Sequence, residues 1–190
     1  MQLMRLILPV SALLLTAGCA SGGTGSAAGS AAGSDDLLRE HGLERATVSE
    51  VVEQLDRTNE DRASGLSASV TYDSVTLQDD GQEAVLTMPE DEFYLAVAPW
   101  TTTTHDCFHH SLSGCQGELV NTPVQVLITD AAGTVLVDDA ASTYDNGFVG
   151  FWLPKDIAGS LTITSAAGTA TGTFSTFADS PTCITTLRLV

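Results

Sequence analysis

Basic side chains are scarce in this chain. Seven Lys and Arg, with Lys155 the one lysine, face 24 Asp and Glu in 190 residues, a formal net charge of −17. Such a field repels a phosphate backbone and argues against nucleic acid as a partner. The acidity reads as solubility, and it gathers cations without choosing among them. Enzyme signatures are absent too: no G-x-S-x-G, no H-E-x-x-H, no phosphate-cradling Gly-rich turn and no dinucleotide fingerprint occur. There is no internal repeat, and beyond the N-terminus no apolar run is long enough to span a membrane. The acidic pairs Asp79-Asp80 and Asp138-Asp139, and Asp145 before Asn146, lack the spaced oxygens and closing Glu of a calcium loop, so they read as turn residues.

The apolar run that does occur sits at the start. Arg5, then Leu6 to Leu15, then Thr16-Ala17-Gly18 describe an export signal over residues 1–18. Leu15-Thr16-Ala17-Gly18-Cys19 resembles a bacterial lipobox, with Thr16 where Leu is commoner. That implies a lipidated Cys19 and an extracytoplasmic, membrane-anchored lipoprotein at the cell surface or in the periplasm; the alternative is a soluble protein cleaved nearby. Residues 19–35 are almost pure Gly, Ala, Ser and Thr and read as a flexible tether.

Helical signals fill residues 36–64. Ser34 is placed to cap a short helix that stops at Gly42, with His41 in its last turn complementing the helix dipole. Thr47 and Glu50 form a capping-box pattern ahead of Val48, Val51, Val52 and Leu55 on one face. The narrow apolar faces of these helices allow packing on the rest of the chain or a homodimer contact. From residue 65 to 190 the period drops to two: Leu66 to Leu77, the turn Asp80-Gly81, Val85 to Met88, Phe93 to Val97, Val124 to Ile128, Val135 and Val137, the turn Asn146-Gly147, Phe148 to Leu153, Leu161 to Phe174, and Thr185 to Leu189. Short strands with Gly or Asn turns predict an α+β, mostly β fold: N-terminal helices followed by an antiparallel β-sandwich-like domain.

One loop breaks this pattern. Between positions 105 and 115 stand Cys107, Cys115 and three of the four histidines, His105, His109 and His110. Thiolates favour Cu(I) and Zn, and imidazole suits Cu and Zn, so the cluster reads as a metal site. Setting Cys19 aside leaves three cysteines, with Cys183 beside Pro181 at the head of the last strand. Three thiolates suit low-coordinate Cu(I), with His110 as a fourth candidate ligand and His105 and His109 as candidates for outer contacts; zinc fits less well. If the backbone is extended, His109 and His110 point to opposite sides and at most one faces the sulfurs. Trp100 and Trp152 read as core or rim aromatics. Residue types leave a disulfide equally open, pairing Cys107 with Cys115 or Cys115 with Cys183, and the two states can interconvert.

The chain resembles the CueP family of periplasmic copper-binding proteins from His41-Gly42-Leu43 to the C-terminus. The likeness rests on Phe93-Tyr94-Leu95, Val97-Ala98-Pro99, Thr104-His105, Cys107, His110-Ser111-Leu112, Cys115 with Gly117-Glu118-Leu119, Asp145-Asn146-Gly147-Phe148, Trp152-Leu153-Pro154 and Pro181-Thr182-Cys183 with Thr185-Thr186-Leu187. It implies copper binding through Cys107, Cys115 and Cys183, in copper resistance or in supply to a cuproenzyme acceptor. Two features depart from the family: the lipobox and tether, and His109, where an aromatic residue is more usual. A second hypothesis is a thiol redox protein that reduces a metal ion or exchanges disulfides with a thiol reductase; the single lysine and few arginines of the β region offer nothing to lower a thiol pKa. A third is an inert surface lipoprotein with a structural disulfide, in which Cys183 would not affect metal content.

Overall fold

A computed structural model of the protein describes residues 27–58 and 64–190, with side chains from residue 33. The export signal, Cys19 and the first part of the tether lie outside the described residues. Helix α1 spans Ala27–Glu40 and α2 spans Val48–Asp56. The first begins well before Ser34, inside the stretch read as a tether, because Ala is the strongest helix former and because the far end is anchored. Leu37 is fully buried and Ser34 Oγ donates to the Glu83 carbonyl at 2.9 Å. His41 does more than complement a dipole, since its Nε2 lies 2.9 Å from Asp79 Oδ2 and latches the end of α1 to the β domain. The capping box of α2 forms as its sequence predicts, and the helix buries Val51, Val52, Leu55 and, unexpectedly, Asp56. Both apolar faces are covered by the chain itself. No helix among the described residues is long and apolar enough to cross a membrane.

Eleven strands follow among the described residues: β1 Ser67–Val70, β2 Ser74–Asp79, β3 Gln82–Thr87, β4 Glu92–Val97, β5 His110–Ser111, β6 Pro123–Asp130, β7 Val135–Ser142, β8 Val149–Pro154, β9 Ala158–Ser165, β10 Gly168–Ser175 and β11 Cys183–Ile184. They form three sheets, β3-β2-β1-β5, β11-β4-β8 and β10-β9-β6-β7. The β2–β3 hairpin turns at Asp80 and Gly81, φ 44° and 78°, as a favoured two-residue turn requires. All pairings between these strands are antiparallel except β11 on β4. The result is the mostly β α+β fold that the period-two pattern predicts.

The C-terminal strand departs from its expected span of Thr185 to Leu189. Pairing with β4 begins earlier, at Cys183 opposite Ala96, and lapses after Ile184 opposite Val97. The Ala98 N–H still bonds the Ile184 carbonyl at 2.9 Å, but the Trp100 N–H bonds the Leu187 carbonyl at 3.0 Å, three residues on where a regular ladder would use the second, so one extra residue is inserted in the C-terminal strand. The chain bows out and rejoins only where Trp100 bridges Arg188.

β4 lies at the centre. Phe93, Leu95 and Val97 join one apolar cluster, with Val126, Ile128, Leu161 and Ile163 of the β6–β9 pair. Tyr94, Ala96 and Ala98 join the other, with Leu37, Val51, Val52 and Leu55 of the helices and Val70, Val75 and Leu77 of the first sheet. Cys183, beside Ala96, falls in this second cluster.

Candidate metal centre

The loop from residue 101 to 119 is tied at both ends. Glu118 accepts from the backbone N–H of Thr101 at 2.7 Å, Thr102 at 3.0 Å and Thr103 at 3.4 Å, and from the hydroxyls of Thr101 and Thr102. The Thr102 hydroxyl, then the Thr101 and Thr102 amides, hold its carboxyl at about 2. At the far end the Gly117 N–H donates to the Asn146 carbonyl at 2.7 Å, and the backbones of Gly117 and Gly147 touch. A Cβ on Gly117 would lie 2.5 Å from the Gly147 oxygen, which leaves room for glycine only.

Between these ties, β5 pairs His110 with Val70 of β1. Thr182 clamps the two halves of the site: its Oγ1 accepts the His110 N–H at 2.9 Å and donates to the Val70 carbonyl at 2.9 Å. The next residue, Cys183, donates its N–H to the Phe108 carbonyl at 3.2 Å. The 111–115 turn returns Cys115 to the same point, its N–H bonded to the Ser111 carbonyl at 3.0 Å. One donor atom from each of Cys107, His110, Cys115 and Cys183 therefore lies within 4.8 Å of the others. Three sulfurs and one imidazole nitrogen this close form a soft donor set that could hold a metal ion such as copper.

The sulfurs are partly oxidised. Cys107 and Cys183 form a disulfide across a Cα separation of 5.7 Å, neither of the pairings expected from the sequence. The reason is topological: Cys183 rides on β11 beside β4, and its N–H bond to Phe108 places it against Cys107. Cys115 Sγ stands 3.4 Å from Cys107 Sγ. His110 Nδ1 lies 3.7 Å from Cys183 Sγ.

His110 is fully buried, and its Nε2 sits 2.7 Å from Oδ1 of the equally buried Asp56. Burial alone would push the His110 pKa down. The hydrogen bond and charge of Asp56, helped by Cys115, outweigh it and lift the ring to about 9. Burial likewise raises the Cys115 thiol, but His110, with His105 and the Ser111 amide, brings it down to about 7. The expectation that nothing lowers a thiol pKa here is thus corrected: the cation is a buried histidine, not a lysine or arginine.

His109 turns outward, exposed, with its ring against Phe108 at 4.9 Å between centroids. His105 is half-buried; with Cys115 and Gln116 it lines a shallow opening of about 320 Å³. Cys107 and Cys183 line a second opening of about 300 Å³, with Phe108, Phe174 and Pro181. A larger cleft of about 550 Å³ between β7 and β8 lies away from the donors and holds none of them. Trp100 and Trp152 are partly buried. Asp56, Tyr94 and Asn146 were not anticipated from the sequence. Tyr94 Oη donates to Asp56 Oδ2 at 2.5 Å and Asn146 Nδ2 to Oδ1 at 2.7 Å. The available signal was an acid four residues after Val52 on the apolar stripe of α2.

Sheets that carry a thiolate and imidazole cluster at the rim of a buried core define a metal-binding protein of the mostly β class. Within that class the chain belongs to the CueP family, whose model, described as periplasmic copper-binding protein CueP, matches residues 50–188. The crystal structure of a protein named S.CueP superposes with a TM-score of 0.78 at 41% identity, over 87% of this chain and 99% of that one. No curated protein sequence matches the chain.

Proposed function

We propose that the protein binds Cu(I) outside the cytoplasm through the thiolates of Cys107, Cys115 and Cys183, with His110 Nδ1 as a further donor. Copper is its cargo, held for resistance or for ligand exchange with an acceptor, and a lipid on Cys19 would keep it at the membrane. The observation that carries the reading is the approach of those four donors to within 4.8 Å of one another. Their number and softness fit Cu(I) better than zinc, and the apolar surroundings of Cys183 exclude water from one side of the ion. The Cys107–Cys183 bond must be reduced before copper can enter.

The test is an anaerobic Cu(I) titration of the reduced protein, with Cys19→Ser, against a competing chelator. About one copper per chain is expected, with each of Cys107→Ser, Cys115→Ser and Cys183→Ser weakening binding sharply. Weak binding, or binding indifferent to Cys183→Ser, overturns the three-thiolate site.

One observation favours a redox reading alongside it: the Cys115 sulfur lies 3.4 Å from the disulfide sulfur of Cys107. As a thiolate, Cys115 can attack Cys107, forming a Cys107–Cys115 bond and releasing Cys183 as a thiolate, with no outside oxidant or reductant. Disulfide mapping across pH would find both pairings if this exchange runs, and one alone if it does not.

A further inference from the structure

Asp56 carries no expectation from the metal-ligand pattern, yet it lies one residue away from the metal donors in the hydrogen-bond network. It is the last residue of α2, fully buried, and its carboxylate takes one bond from each of three separate elements. Tyr94 on β4 donates to Oδ2 at 2.5 Å, while Asn146 at 2.7 Å and His110 Nε2 at 2.7 Å share Oδ1. Asn146 is itself fixed, since its Nδ2 also donates to the Asp56 carbonyl at 2.6 Å and its Oδ1 accepts the Phe148 N–H at 2.9 Å. The Phe148 ring packs on the His110 ring at 4.5 Å between centroids. The imidazole is thus held at its edge by a carboxylate, on one side by a phenyl ring tilted 47° to it, and by its own backbone N–H on Thr182.

An anchor for α2 would need only the bonds that Tyr94 and Asn146 donate to Asp56, so the approach of His110 to the same carboxylate has a further consequence. What the carboxylate adds is a choice of nitrogen. A carboxylate accepts and cannot donate, so a neutral His110 must keep its proton on Nε2. The lone pair is then left on Nδ1, the nitrogen 3.7 Å from Cys183 Sγ. Metal-bound histidines are commonly oriented by such an outer carboxylate, and its loss costs about 10- to 100-fold in affinity.

We propose that Asp56 is the positioning residue of the centre: it fixes the His110 tautomer and aims Nδ1 at the point where Cys107, Cys115 and Cys183 converge. Tyr94 and Asn146 hold Asp56 in turn, so α2 belongs to the binding site as well as to the core. This inference rests on the reading of the cluster as a copper site, and the experiment separates the two.

The first measurement is nitrogen-15 NMR of the imidazoles in the reduced, copper-free full chain, at a pH alkaline enough for His110 to be neutral. A protonated Nε2 with an unprotonated Nδ1 is expected; the reverse tautomer, or an even mixture, overturns the proposal. It needs no variant, so it stands even if Asp56→Asn fails to fold. The second is the Cu(I) affinity of Asp56→Asn, His110→Ala and the double variant. Asp56→Asn should weaken binding about 10- to 100-fold in the native background and add almost nothing in the His110→Ala background. An equal loss in both backgrounds makes Asp56 a structural residue only. If the native protein does not bind Cu(I), the copper reading falls while the tautomer still reports on Asp56; if it binds with the wrong tautomer, the inference falls alone.

Discussion

The two cores on either face of β4 are built from different materials. The face toward β6 and β9 is hydrocarbon, with Phe93, Leu95 and Val97 meeting Val126, Ile128, Leu161 and Ile163. The face toward the helices encloses Asp56 and His110 among Leu, Val and Ala side chains. A buried ion pair returns little net stability, because desolvation offsets most of its Coulomb gain. The first core therefore stabilises the fold, whereas the second fixes a geometry, and one strand, alternating its side chains, holds the two in register.

The largest effect should come from the hydrocarbon side. Phe93→Ala is expected to cost about 3–5 kcal/mol in chemical denaturation, with copper stoichiometry unchanged in the molecules that remain folded. In a Tyr94→Phe background, which leaves no buried hydroxyl orphaned, replacing Asp56 and His110 together by Leu should leave stability within roughly 2 kcal/mol of the background value, or raise it, since hydrocarbon often serves as well as a buried ion pair. That double variant should still lose copper affinity. If it unfolds as readily as Phe93→Ala, the distinction between the cores is wrong.

Legibility in the sequence follows the same division. The hydrocarbon core was readable because alternation is local: Phe93, Leu95 and Val97 announce a strand without reference to anything distant. The candidate cluster stood out because Cys107, His110 and Cys115 crowd one loop, and the fold brings Cys183 to them. The Cys107–Cys183 bond, spanning 76 residues, was not, since it depends on a parallel pairing of two residues that no turn signal marks. Asp56 was hidden for the same reason, as it meets its partner 54 positions away and looks like an ordinary helix-end acid. The start of α1 at Ala27 was obscured by reading composition as flexibility, when its alanines favour helix and the apolar end was there to dock it.

A smaller effect tests the electrostatics of the polar core. A thiol held down to about 7 becomes thiolate as pH rises through 7, where an ordinary thiol waits until about 9. In the disulfide-bonded protein with Cys19→Ser, alkylation of Cys115 should therefore reach half its maximal rate near pH 7. In His110→Gln the midpoint should move up by about two units, slowing reaction at pH 7 roughly 50-fold through loss of thiolate. An unchanged midpoint would assign the lowering to His105 and the Ser111 amide, and would leave His110 with no charge to lend.

The smallest effect concerns the rim that joins the two regions. Glu118 is half-buried at the surface, so its bonds to the Thr101–Thr103 amides order a segment without adding much to global stability. Its carboxyl is lowered to about 2, chiefly by the Thr102 hydroxyl and the Thr101 and Thr102 amides, so what the anchor contributes is present above the ordinary carboxylate range and is lost only as pH falls through about 2. Glu118→Gln should speed hydrogen exchange at Thr101, Thr102 and Thr103 several-fold, with the melting temperature almost unmoved and exchange in β6 and β9 unchanged. Protection that survives the change would mean that the threonine segment is held by the Thr104 hydroxyl on the Thr185 carbonyl and the Arg188 bond to the Thr101 carbonyl. The loop would then be fastened to the C-terminal strand that carries Cys183, and its order would depend on the same pairing that forms the disulfide.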